Sequence, residues 1–480
     1  METKQKISAD ILEAYGRPGK KELEEVDRLL QKEIGTSGRK IIVLDDDPTG
    51  VQTVHDISVY TDWDKGSVEK GFREPGSLFY ILTNSRGFTA EQTTRVHDEI
   101  ARVVEEVAEE SGRPYILISR SDSTLRGHYP LETLRLKETI EEKGMVRFDG
   151  EILCPFFKEG GRYTLGNVHY VKYGDTLVPA AETEFARDKT FGYHSSDLRE
   201  YVEEKTKGAF KAGDVTCISL ESLRARDYDG IEAQLLRVEG FNKVVVNAVD
   251  YCDLKVFCTS LYRALKKGKN FLFRSGAALV KVIGGITDQP LLTREQMVTR
   301  HTDKGGIVVV GSHTAKTTEQ LEALLTLEKV RAIEFNSDLV LEAEAFEEEI
   351  RRVVEECERV MDAGDTAVVY TRRKLLTLEH DTKEEALVRS VKISDAVQSL
   401  VARLAVTPSF VVAKGGITSS DIGTKALAVR RADVMGQIKP GIPVWRTGEE
   451  SKFPATPYII FPGNVGDATT LKEAVEVLLG

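Results

Sequence analysis

Cysteine and positive charge are both in short supply in this chain, and each shortage removes a class of protein. The 480 residues hold five cysteines, Cys154, Cys217, Cys252, Cys258 and Cys357, an odd number with no Cys-x-x-Cys pair. That usage suits a reducing compartment and supplies neither a disulfide framework nor a zinc signature. Aspartate and glutamate outnumber lysine and arginine by 77 to 66, for a formal net charge of -11. An acidic balance argues against a general nucleic-acid or anionic-membrane binder, so a small anionic ligand needs a local pocket of arginine, lysine and backbone N–H groups. No apolar run approaches the ~18 residues of a membrane span. Residues 1–20 lack the apolar stretch of a signal peptide, which makes the cytoplasm the expected location. Several catalytic signatures are missing as well: there is no GxxxxGK[ST] phosphate loop, no GxGxxG, no HExxH and no GxSxG.

What is present reads as an ordinary α/β protein. Hydrophobic residues make up 41% and charged residues 30%, and the length allows two or three domains at ~100–200 residues each. Residues 1–38 are a charged, helix-favouring extension in which Leu23, Val26, Leu29, Leu30 and Ile34 fall on one face. The stretch at 41–50 then gives a buried-strand run ending in Asp45, Asp46, Asp47, Pro48 and Gly50. Ligands of open parallel sheets bind at the carboxyl ends of strands, so these carboxylates stand where chemistry is usually done. An ordinary solvated acidic turn is the plain alternative.

The same pattern recurs. A strand at 78–83 runs into Asn84, Ser85, Arg86 and Gly87, and a strand at 114–119 runs into Arg120, Ser121, Asp122, Ser123, Thr124, Leu125, Arg126 and Gly127. Two arginines with hydroxyls and an aspartate ahead of a helix at 130–143 form an anion cradle or, more simply, a capped helix with a salt bridge. Residues 162–186 read as a long irregular loop, and 284–292 as a linker. From residue 305 strands at 307–310, 330–335, 366–370, 409–413 and 458–461 alternate with helices, the βαβ rhythm of a largely parallel sheet. Three of these strands end in Gly311-Ser312, in Gly415-Gly416 with Thr418, and in Gly463-Asn464, turns that suggest nucleotide binding.

Taken together, DDDPTG at 45–50, TNSRG at 83–87, SDSTLRGH at 121–128, FRSG at 273–276, VVAKGGITSSDI at 411–422 and FPGN at 461–464 resemble the four-carbon acid sugar kinase family, in order and spacing, over residues 40–480. The resemblance implies a sugar-acid-binding domain at 39–285, a nucleotide-binding domain at 293–480, and ATP-dependent phosphorylation of a tetronate such as threonate, erythronate or an oxo-tetronate. Asp46, Arg86 and the turn of Ser121, Asp122, Ser123, Thr124 and Arg126 would hold the substrate. Gly311, Ser312, Gly415, Gly416, Thr418, Gly463 and Asn464 would hold ATP. Arg86 and Arg126 can pair with a carboxylate, and Asp46, or failing it Asp122, can take the proton of the attacking hydroxyl. Mg²⁺ bridging the phosphates is expected, although no metal site is legible, and the oligomeric state is open. Two other readings compete: a haloacid-dehalogenase-type phosphatase with Asp45 as nucleophile and Asp47 as acid/base, and a non-catalytic sugar-acid or nucleotide sensor.

Overall fold

The computed structural model describes residues 5–16, 18–142, 146–300, 302–374, 376, 378, 381–463 and 465–480. The chain divides into two α/β units, one made of Met1–Val54 and Asp62–Asp288, the other of His55–Thr61 and Gln289–Gly480.

In the first unit seven strands lie in the order Thr216–Ile218, Asn242–Val246, Gly150–Cys154, Phe271–Ser275, Tyr115–Arg120, Lys40–Asp45 and Leu78–Leu82, and each of the six pairings is parallel. Ile41, Ile42, Val43 and Leu44 are all buried, which is why this strand reads as an unbroken apolar run instead of an alternating one. Helix Ala90–Ser111 turns Val96, Ile100, Val104 and Val107 inward, and its start is fixed by a reciprocal cap between Thr89 and Gln92. The expected helix at 21–34 spans Lys20–Ser37. It packs on helix Tyr251–Lys266, so the extension belongs to the body of this unit.

Residues 162–186 are not the irregular loop that their glycine and tyrosine content suggests. Arg162–Leu165, Val168–Tyr173 and Thr176–Pro179 form an antiparallel meander, and Ile7–Ser8 adds a fourth strand. The turns explain it. Gly166 and Asn167 both have positive φ, and they join Leu165 directly to its partner Val168 in a two-residue hairpin. Gly174 and Asp175 do the same between Tyr173 and Thr176.

The second unit has eight strands in the order Ile57–Tyr60, Arg431–Lys439, Ile442–Thr447, Pro457–Phe461, Val411–Lys414, Ile307–Val310, Thr366–Thr371 and Val330–Phe335. Pairing is parallel from Pro457–Phe461 onward and antiparallel before it. The antiparallel hairpin at 431–447 went unread in the sequence. The strand Ile57–Tyr60 is an excursion of the early chain, outside the contiguous division at 39–285 and 293–480, and its partner is Arg431–Val434. Helices cover this sheet, with Leu321, Leu324, Leu471, Val475 and Leu478 packed on Val308, Val310 and Val412. Among the described residues no helix is long and apolar enough to cross a membrane.

Candidate functional site

Strand register brings the polar turns of the first unit to one edge. Asp45 is opposite both Leu82 and Arg120, and Arg120 is opposite Ser275. The residues just beyond these positions, Asp46, Ser85–Gly87 and Ser121–Gly127, are therefore neighbours although distant in sequence.

Guanidinium groups and carboxylates interleave there. Arg86 donates from Nη2 to Asp46 Oδ1 at 2.6 Å and from Nε to Asp46 Oδ2 at 3.2 Å, while its Nη1 reaches Asp47 Oδ2 at 3.1 Å. Arg120 Nη1 lies 3.3 Å from Asp45 Oδ1 and 3.7 Å from Asp46 Oδ1. Arg126 Nε donates to Asp122 Oδ2 at 2.6 Å, and the Thr124 hydroxyl donates to the same oxygen. Arg274 faces Glu132 at 3.5 Å and lies over the Tyr129 ring.

These surroundings separate carboxylates that look equivalent in sequence. Burial pushes Asp45 up to about 8, against the pull of Arg120 and with Asp46 and Asp47 adding to the rise. Burial also raises Asp46, Arg86 opposing and Glu132 reinforcing. Burial disfavours the charge of Asp47 too, but Arg86 and the Thr49 hydroxyl and N–H outweigh it and hold that carboxyl below its usual range. At Asp122 the opposition of burial is overcome by Arg126 and Arg86, leaving a firmly ionised carboxylate. Carboxyls pushed up and carboxyls held down thus share one strand edge.

Asp45 is not placed as a nucleophile. It is 1% exposed, and a Cβ on Gly50 would fall 2.0 Å from both of its carboxylate oxygens, so the backbone of the Pro48–Val51 turn closes directly over it. A carboxyl that is covered, paired with Arg120 and raised toward its neutral form does not suit attack on phosphorus.

The Ser121–Gly127 turn is held from behind. His169 Nε2 bonds the Ser123 carbonyl at 2.7 Å, Tyr193 Oη donates to the Thr124 carbonyl at 2.8 Å, Tyr201 Oη to the Leu125 carbonyl at 3.0 Å, and Arg274 Nη2 to the Arg126 carbonyl at 2.8 Å. Burial lowers His169 to about 4, which keeps the ring neutral, with Nε2–H donating to Ser123 and Nδ1 toward the Thr164 hydroxyl at 3.0 Å. Four consecutive carbonyls are thus satisfied on one side. The N–H groups of Asp122, Ser123, Thr124, Arg126 and Gly127 bond no other described residue, and such a run of free donors suits an anion.

Of the residues expected to hold substrate, Asp46, Arg86, Asp122 and Arg126 converge with the Ser121, Ser123 and Thr124 turn, but with different standing. Ser121, Ser123 and Thr124 are buried, with exposures of 1%, 7% and 1%. Arg86 and Arg126 are both engaged with aspartates and do not form a free carboxylate clamp. The sequence reading counted Arg120 in the anion cradle but not among the substrate-holding residues, met Arg274 only within the FRSG motif, and gave no role to Glu132, Arg162, His169 or Tyr193. Arg120 and Arg274 end strands at the same edge as Asp45, a position that could have singled them out.

The second unit presents a different edge. Val310 is opposite Lys414, and Lys414 is opposite Phe461, so the turns after these three strands converge. Gly415 has φ +119°, and its Cβ would lie 3.4 Å from Ser312 Cβ and 3.5 Å from Thr418 Oγ1. A Cβ on Gly311 would meet Thr418 Oγ1 at 2.3 Å. Gly311, Ser312, Gly415 and Thr418 are therefore one cluster. Gly416 opens the helix Gly416–Asp421, and open space surrounds the position of a Cβ on Gly463. Asn464 lies outside the described residues. Beneath the turns, buried Lys414 donates to the Pro462 carbonyl at 2.7 Å and the Gly463 carbonyl at 3.3 Å, and burial pushes its amine down to about 7. Ile417, beside the glycine pair, is 73% exposed. The helix after Ser312 begins at Ala315, with Thr314 as its cap. Among the described residues no group of three His, Cys, Asp or Glu side chains is arranged to hold a metal.

The chain thus holds two α/β units, one with an arginine–aspartate strand edge and the other with a glycine-lined one. A sugar-binding N-terminal domain model matches residues 41–283, and a nucleotide-binding C-terminal domain model matches residues 307–471. The chain belongs to the four-carbon acid sugar kinase family. Its fold is similar to the crystal structure of a Haemophilus influenzae protein, at 18% identity and a TM-score of 0.60, covering 91% of this chain and 100% of that one. It is similar also to a Salmonella typhimurium LT2 protein named provisionally as a tRNA synthase, at 17% identity and a TM-score of 0.65, covering 91% of this chain and 98% of that one. No curated protein matches the sequence.

Proposed function

We propose that the protein is an ATP-dependent kinase of a four-carbon sugar acid, a threonate, erythronate or oxo-tetronate, with the acid bound at the first unit's edge and ATP at the second. The observation that carries this reading is the pairing of Asp46, a buried carboxyl whose pKa is raised, with the turn whose carbonyls are pinned while the N–H groups of Asp122, Ser123, Thr124, Arg126 and Gly127 bond no other described residue. Such a pair can take the proton of a hydroxyl while holding an anion beside it.

In this account Asp46 accepts the hydroxyl proton, Arg86 holds the Asp46 carboxylate in place, and the Asp122 turn with Arg126 binds the acid. Deprotonation by Asp46 requires one of its oxygens to be shared between Arg86 and the incoming hydroxyl, which a carboxylate with its several lone pairs allows. The glycine cluster of the second unit suits a nucleotide, because Gly311 and Gly415 let the turns pack closely enough to bring backbone and hydroxyl groups together, open space borders Gly463, and exposed Ile417 offers an apolar face for a base. Mg²⁺ fits as an ion held largely by phosphates and water, the usual arrangement at such sites. Phosphoryl transfer needs positioning and charge neutralisation more than covalent chemistry, and both edges supply these.

ADP release by the purified protein, measured with Mg²⁺ and ATP against a panel of tetronates and oxo-tetronates, tests the proposal. Release with one or a few members and none with the buffer alone is expected. Folded protein that binds ATP but releases no ADP with any member would contradict it.

A further inference from the structure

Five arginines crowd the first unit's edge, and four of them have a carboxylate partner: Arg86 with Asp46 and Asp47, Arg120 with Asp45, Arg126 with Asp122, and Arg274 with Glu132. The fifth, Arg162, has no carboxylate within 4 Å among the described residues, and its buried Nε has no hydrogen-bond partner there. An unpaired guanidinium with a desolvated N–H is costly unless something else supplies the anion.

Its position is fixed. Arg162 and Phe157 exchange backbone hydrogen bonds of 2.8 and 3.0 Å, and a Cβ on Gly160 would stand 3.0 Å from Arg162 Nη1, so the intervening backbone packs on the guanidinium. The head lies 5.6 Å from the centre of the Phe185 ring, and Arg126 lies 5.1 Å from the same ring. The charged or titratable groups that face it are Asp122, Arg126, His169, Tyr173 and Glu184. Arg126 already claims Asp122, and the Tyr173 hydroxyl donates to Glu184 at 2.8 Å. The neighbouring strand of the same meander carries His169, whose ring bonds the Ser123 carbonyl, so the meander that presents Arg162 is tied to the Asp122 turn.

We propose that Arg162 receives the carboxylate of the acid substrate, with Phe185 setting the plane of its guanidinium and the Asp122 turn completing the site. The proposal rests on the reading of this edge as a sugar-acid site and assigns the end of the molecule that is read. A planar fork of donors held on an aromatic face suits a carboxylate and discriminates against its uncharged amide.

Calorimetric titration of the full-length protein with L-threonate, D-erythronate and the corresponding primary amides, for wild type, Arg162→Gln and Arg162→Lys, tests it. The acid is expected to bind wild type roughly 10- to 100-fold more tightly than its amide, the worth of a charge-assisted pair. Arg162→Gln should remove that preference while leaving amide affinity and melting temperature near wild type, and Arg162→Lys should restore part of it. An acid preference that survives Arg162→Gln would overturn the assignment and leave the sugar-acid site standing. Unchanged acid affinity with weaker binding of inorganic phosphate would move Arg162 to the phosphoryl end and equally overturn it. Wild type that binds neither acid nor amide would overturn the sugar-acid reading itself, and the assignment with it.

Discussion

The two strand edges prepare for anions in opposite ways. The first spends charge: guanidinium groups and carboxylates lie within 2.6 to 3.7 Å of one another, and Asp45, Asp46 and Arg120 among them are buried. The second spends almost none, offering glycine turns over a single buried lysine whose amine bonds only carbonyls among the described residues. Directional, charge-assisted donors discriminate among small acids that differ by one group, whereas a backbone cradle accepts phosphates with little regard to what they are attached to. Under the proposed function, selectivity for the acid is written in the first unit and tolerance toward the nucleotide in the second.

The largest expected effect breaks this contrast at its most charged point. Asp46→Asn keeps the shape of the side chain and most of its hydrogen bonds but removes the base. The account expects kcat to fall by about 10²–10⁴ with the KM for ATP nearly unchanged. Steady-state kinetics measure both, and a parallel rise in the ATP KM would show that Asp46 serves the nucleotide instead.

A second pair of variants sharpens the comparison through pH, because the edges respond with opposite sign. Asp45 is raised to about 8 in the fold from an ordinary value near 4, so between these limits the folded state holds a proton that the unfolded chain has lost. Stability contributed by this group is present below pH 4 and is lost as pH rises through 8. Lys414 is lowered to about 7 from about 10.5, so between these limits the unfolded chain holds the extra proton, and stability rises with pH. Each slope is bounded at roughly 1.4 kcal/mol per pH unit. Urea denaturation across pH 5–10 should therefore show a shallower decline below pH 8 in Asp45→Asn and a shallower rise above pH 7 in Lys414→Met. Variant curves parallel to wild type would remove both groups from the account.

A smaller effect concerns the close approach at Gly50. Its Cβ would overlap the Asp45 carboxylate, and Gly50→Ala should cost about 1–3 kcal/mol as the turn and the carboxyl shift apart. Denaturation midpoints check this, and a neutral substitution would mean that the turn has room to move.

Much of this was readable from the sequence because strand ends announce themselves. An apolar run that stops at Asp45, at Asn84 or at Ser121 shows both the strand and the polar edge, and parallel strands place such ends together. The glycine turns at 311 and 415 were legible for the same reason. What stayed hidden depends on contacts between distant segments. Nothing local says that Ile57–Tyr60 pairs with Arg431–Val434, or that His169 and Tyr193 reach the carbonyls of the Ser121–Gly127 turn. The meander at 162–179 was readable in principle, since Gly-Asn and Gly-Asp between alternating segments are hairpin signals, but the tyrosines and charges around them obscured the period. Arg162 was lost with it. The pairing of Arg86 and Arg126 with aspartates was hidden for an electrostatic reason: each arginine neighbours an aspartate from its own or an adjacent turn, and a half-buried guanidinium takes the nearest anion.

The central claim is that acid and nucleotide are bound by different units, and a crossed titration tests it most directly. Arg126→Lys and Gly415→Val are each titrated by calorimetry with L-threonate or D-erythronate and with Mg-ATP, giving a two-by-two set of affinities. Arg126→Lys loosens the bond from Arg126 Nε to Asp122 that braces the turn and should weaken the acid about tenfold while leaving Mg-ATP alone. Gly415→Val forces a Cβ onto a backbone at φ +119° and should weaken Mg-ATP by ten- to a hundredfold while leaving the acid alone. The reversed pattern, or both variants weakening both ligands equally, would contradict the division of labour between the two edges.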